Sequence, residues 1–92
     1  MALNTLNVAS PKPLVASGNV KNSSGALLGI FVSAATGTPT ITVYDDAGVG
    51  TTTKIVDTFI PIAGTWYPMP FTVQNGVNVV LGATVSCTVS VL

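Results

Sequence analysis

From Thr84 to Val91 every second residue is apolar: Val85, Cys87, Val89 and Val91 alternate with Thr84, Ser86, Thr88 and Ser90. A repeat of two residues fits an extended strand, in which successive side chains point to opposite faces; on a helix the same residues would scatter around the cylinder. This segment therefore predicts a strand with one buried face and one hydroxylated face. The rest of the chain agrees, since about a third of its 92 residues are Val, Ile or Thr and Glu is absent. Branching at Cβ stiffens these side chains and suits them to a pleated surface. The predicted class is all-β.

Strand-like runs recur at short spacing with turn residues between them, as in a sandwich or barrel. They cover Leu14 to Val20, Ala26 to Ala34, Thr40 to Asp45, Thr53 to Ile60, Trp66 to Val73, Val77 to Leu81 and Thr84 to Val91. The expected architecture is a small antiparallel β-sandwich or jelly-roll-like barrel of about six or seven strands. Leu27, Leu28, Ile30, Phe31 and Val32 form an almost continuous apolar run, which marks a central strand or one lying at an interface. Asn75-Gly76 suits a two-residue type I′ turn, and Gly82-Ala83 suits the next one, so a C-terminal meander from Trp66 to Val91 is expected. Asp45-Asp46-Ala47-Gly48-Val49-Gly50 reads as a longer, exposed hairpin loop, with Asp45, Asp46, Gly48 and Gly50 as its characteristic residues.

The domain reading is an N-terminal arm and proline hinge over residues 1–13, followed by one β-sandwich domain over residues 14–92. Leu3, Leu6 and Val8 are spaced by polar residues, and Pro11-Lys12-Pro13 removes two backbone donors. A chain of this length buries about 60–65% of the surface its unfolded form exposes, which supports a single core.

Charge is scarce. Only 7% of residues are Asp, Glu, Lys or Arg, with a formal net charge of zero, against about 25% in ordinary soluble domains. Mixed surface charge normally opposes association, so its absence predicts that part of the apolar surface is covered by other subunits or by a larger structure, the alternative being a monomer with a hydroxyl-rich surface. Three lysines, Lys12, Lys21 and Lys54, offer no basic cluster for phosphates, and no nucleic-acid partner is expected. No apolar run approaches the ~20 residues of a membrane-spanning helix, and MALNTLNVAS lacks the n-region and h-region of a secretory signal. A single cysteine forms no internal disulfide, in keeping with folding in a reducing cytoplasm.

The residue inventory also argues against catalysis. His, Glu and Arg are all missing, which removes the commonest general base, one of the two carboxylic acids and the usual anion clamp. Cys87 lacks an activating base and reads as a small buried hydrophobe within the Val85 to Val91 stripe. Asp45 and Asp46 do not have EF-hand spacing and read as turn caps, and no glycine-rich phosphate loop is present. No catalytic, cofactor-binding or metal-binding residues are expected. Asn22-Ser23-Ser24 matches the glycosylation acceptor pattern by chance.

The aromatic residues remain. In a strand, Tyr67, Met69 and Phe71 share one side while Trp66, Pro68 and Pro70 share the other. Trp66 is core or intersubunit, or one aromatic forms an exposed platform of the kind that binds sugars. Phe31, Trp66, Tyr67 and Phe71 are the candidate interface residues. Pro68 and Pro70 place this segment at an edge, or kink it.

The stretch Gly25 to Val91 combines a GALLGIFV strand, a TPTITVYDDAGVGTTTKIVDTF hairpin and AGTWYPMPFTVQNGVNVVLGATVSCTVSV. In this pattern it resembles small β-sandwich virion-associated proteins of tailed bacteriophages and prophages. The resemblance implies a non-enzymatic structural protein of the virion, assembled in the host cytoplasm and forming a symmetric homo-oligomer, with a trimer as the expected number. Its role would be capsid decoration or cement, in contact with the major capsid protein or other virion proteins. A receptor- or carbohydrate-binding module of a tail or fibre is the alternative.

Overall fold

The structure is a computed structural model and describes residues 9–92. Six strands follow in order: β1 (Ser10–Leu14), β2 (Gly18–Lys21), β3 (Gly25–Tyr44), β4 (Lys54–Phe59), β5 (Thr65–Val73) and β6 (Val77–Val91). The fold is all-β, as the residue composition predicts, and all six strands pair antiparallel within one sheet.

Two long strands organise this sheet. A straight strand of the 20 residues in β3 would measure about 66 Å, whereas the longest dimension of the molecule is 44 Å. β3 therefore bends, and its two ends meet the same short segment: Gly25 pairs with Val73, and Asp45, just past Tyr44, binds Gln74, Asn75 and Gly76. β6 bends alongside it. Thr36 pairs with Thr84 and Thr40 with Gly82, so Gly37, Thr38 and Pro39 face only Ala83, and both Gly37 and Ala83 adopt positive φ. Strands commonly turn such corners through bulges.

The Gly82-Ala83 turn expected from sequence is thus a corner inside one strand, and two pairs of predicted strands merge into β3 and β6. On one side of the corner the order is β1, β6, β3, β5; on the other it is β2, β6, β3, β4. Folding the sheet brings both sides around one core, in which Leu27, Ile30, Val32, Val85, Val89 and Val91 meet Ile41, Val43, Val77 and Val79. The apolar stripe Val85, Cys87, Val89, Val91 is buried throughout.

Three further expectations are corrected. β5 and β6 form no ladder, since β5 pairs with β3, so the Gln74-Asn75-Gly76 turn crosses between the two sides and is not a type I′ hairpin. Residues Leu14 to Val20 are not one strand: Leu14 ends β1 and Gly18 begins β2. Pro11 and Pro13 do not form a hinge; they lie in β1, in register with Ser90 and Thr88. Two residues apart, they share one phase of the strand, and an edge tolerates missing donors in the phase that faces away from its neighbour. The remainder of the predicted arm, residues 1–8, lies outside the described residues.

Candidate functional site

The candidate residues fall into two regions with opposite chemistry. The first is the Asp45 to Gly50 loop. Asp45 is 9% exposed, so it is not part of an exposed loop tip as the sequence suggested. Its Oδ2 accepts the Gln74 amide at 3.0 Å, and its Oδ1 accepts those of Asn75 and Gly76 at 2.8 and 3.2 Å. The Gln74 amide does most to hold the carboxyl below its usual range; burial opposes this, and the amides of Asn75 and Gly76 add to it.

Asp46 closes the loop on itself. Its Oδ1 accepts the amides of Gly48 and Gly50 at 2.7 and 3.1 Å, an arrangement Asp favours in turns. The Asn19 side chain donates to the carbonyls of Asp46 and Gly48, and that of Asn78 donates to the carbonyl of Gly50. Gly48 is exposed while Asp46 and Gly50 are half-buried. Each carboxylate is already occupied by backbone donors, and no cluster of three metal-ligating side chains exists among the described residues. The loop acts as a structural clasp joining β2, β3 and β6.

The second region is the β3–β5 side. Phe31 and Trp66 are direct cross-strand partners on the outer face of the sheet, 42% and 47% exposed. A glycine makes the position of the indole possible: a Cβ on Gly29 would stand 2.5 Å from Trp66 Cη2 and 2.6 Å from the Tyr67 carbonyl oxygen. The ring therefore lies against bare backbone. A glycine inside a strand run is the available sequence signal for such a close approach.

Tyr67 takes a different place from its candidate neighbours. It points to the core side, where its ring packs on Phe59 at a centroid distance of 5.0 Å. Its hydroxyl oxygen accepts the Ile62 amide at 2.8 Å, so Tyr67 helps close the molecule between β4 and β5. Phe71, 43% exposed, stands on the same side of β5 at the mouth of a groove. That groove holds about 330 Å³ and is lined by Val56, Asp57, Phe59, Tyr67, Met69 and Phe71, among others. Ile60 and Ile62, on the loop leading into β5, are also exposed.

The sequence brought Phe31, Trp66 and Phe71 forward as interface residues, and the structure leaves all three uncovered. It did not single out the groove, because the groove depends on β4 and β5 lying at the same open side of a folded sheet. Cys87 is buried, which pushes its thiol pKa up, away from the reactive thiolate. No family model, no curated protein and no solved structure matches this chain.

Proposed function

We propose that this chain is a non-enzymatic structural protein of a phage virion, a capsid decoration or cement protein that stabilises the shell through subunit contacts. The observation that carries this reading is the half-exposed Phe31–Trp66 pair on a sheet face of a chain with only 7% charged residues. Aromatic side chains left in water on a folded sheet gain most when a partner covers them. A charge-poor surface offers little repulsion to that partner. The major capsid protein or another virion protein is the proposed partner, and the protein itself is proposed to act as a homo-oligomer.

The test is to mix the purified protein with particles lacking it, follow co-sedimentation, and image the particles by cryo-EM. Regular density on the shell is the expected result. Density confined to tail or fibre would move the protein to that part of the particle, and absence of binding would overturn the reading.

A second reading, a carbohydrate-binding module, draws on one observation: the Trp66 indole lies against Gly29 backbone with its outer surface accessible. The Asp45 to Gly50 loop lends it no support, because its carboxylates are already occupied. Glycan binding lost in Trp66→Ala with the fold retained would favour this alternative.

A further inference from the structure

We infer that Asn75-Gly76 is a latent deamidation site that the Asp45 carboxylate holds closed, and that its conversion, when the clasp opens, disables the clasp for good.

The reaction needs no partner but water. The Gly76 amide nitrogen loses its proton and attacks Cγ of the Asn75 side chain; a five-membered imide forms, and the side-chain nitrogen leaves as ammonia. Water then adds to one of the two ring carbonyls. The product is an aspartate or, with the main chain rerouted through the side chain, an isoaspartate. Asn75 is the one asparagine of the chain followed by glycine, which favours the closure because no Cβ obstructs the ring and the backbone turns freely. Its side chain stands at the surface, where water arrives and ammonia escapes.

The obstacle lies at the attacking nitrogen. The Gly76 amide donates to Asp45 Oδ1 at 3.2 Å, and the Asn75 amide donates to the same oxygen at 2.8 Å. The peptide planes on both sides of Asn75 are thus pinned to one atom. The proton that must leave is held by a carboxylate, whose negative charge opposes formation of an amide anion beside it. Gly76 is also buried. A Cβ built on it would stand 2.7 Å from the Asp46 carbonyl oxygen and 3.1 Å from Ala47 Cα, and nearer still to the Lys21 carbonyl oxygen. The nitrogen therefore has no room to swing toward the Asn75 side chain. Attack waits for a local opening of the turn, and a reaction slower than opening and closing follows the open population.

Conversion runs one way. An isoaspartate places an additional main-chain carbon between the two amides that share Oδ1, and either product adds a negative charge to a turn already built around one. Each opening that ends in chemistry is recorded as a permanent change.

The experiment follows Asn75 by peptide mapping during incubation at neutral pH, with isoaspartate identified by enzymatic methylation. It compares the folded full chain, the full chain in urea, Asp45→Ala and Ile30→Val. The folded chain is expected to convert at least about tenfold more slowly than the chain in urea. Asp45→Ala is expected to raise the folded rate about 5- to 150-fold, the factor that follows from leaving the amides without their acceptor. Ile30→Val weakens the buried core but keeps the carboxylate, and is expected to leave the rate unchanged. If Asp45→Ala fails to fold, Asp45→Asn, which keeps one acceptor oxygen, takes its place with a smaller expected rise. A folded chain that converts as fast as in urea would overturn the inference. So would an Asp45 variant no faster than the parent; a slower one would mark the carboxylate as a base that drives ring closure. An Ile30→Val rate equal to that of Asp45→Ala would also overturn it, by assigning the protection to the fold as a whole.

Discussion

The clasp around Asp45 and the aromatic side of β3 and β5 lie on one sheet and are finished in opposite ways. At the clasp, each carboxylate oxygen that faces inward meets a backbone donor, and no buried side-chain polar atom among the described residues lacks a partner. At the aromatic side, Phe31 and Trp66 on the outer face and Phe71 at the mouth of the groove remain nearly half exposed. Polar groups are thus satisfied within the chain, while these apolar side chains stay in contact with water. The difference separates what holds the fold from what is available for contact, and substitutions can test that separation directly.

The largest effect is expected where both sides of the folded sheet meet. Leu27 is fully buried, and Leu27→Ala should cost about 2–5 kcal/mol through lost transfer energy and the cavity left behind. Ile62→Ala, on the exposed loop, should leave denaturant unfolding nearly unchanged. Equal costs for the two would erase the distinction.

Next comes the clasp itself. Asp45→Ala leaves three backbone donors without their acceptor and should cost about 1–3 kcal/mol. The same carboxylate sets a pH dependence. Its folded pKa lies below the ordinary value of 3.8, so its contribution is fully present above that value and is lost as pH falls below it toward the folded pKa. Acid unfolding of Asp45→Asn should therefore lack a step that the parent chain shows below about pH 4.

Gly29→Ala tests the aromatic side from beneath. The new methyl would collide with the indole and with the Tyr67 carbonyl, and overpacking of this kind costs about 1–3 kcal/mol. Because the carbonyl belongs to the backbone, tryptophan fluorescence should shift together with stability. A fluorescence shift alone would mean that the indole moves aside freely. The smallest effect belongs to Lys54 and Asp57, an exposed pair 3.0 Å apart. Asp57→Asn should leave the melting temperature unchanged, since exposed ion pairs contribute little.

These two regions also differ in how far sequence foretold them. The last strand was legible because alternation reports burial directly: Val85, Cys87, Val89 and Val91 needed no knowledge of their neighbours. Phe31, Trp66 and Phe71 stand out by residue type, whereas their half-exposure is visible only in the fold. Asp45 was not, because its burial depends on amides 29 to 31 positions away, and an Asp-Gly loop read locally looks like an exposed turn. Gly82-Ala83 was misleading for a related reason. A turn and a bulge place the same demand on the backbone, and only the matching irregularity at Gly37, across the ladder, distinguishes a corner from a chain reversal. The prolines of β1 were equally ambiguous, since a missing donor suits a hinge and an edge strand alike.

One variant separates the contact role proposed for the outer Phe31–Trp66 pair from a role in folding. Trp66→Ser is measured twice, for thermal unfolding of the isolated protein and for co-sedimentation with particles that lack it. The expected result is a melting temperature lowered by less than about 4 °C, equivalent to under about 1 kcal/mol for a domain of this size, with association lost. Retained association, or a loss of association matched by an equally large loss of stability, would contradict it.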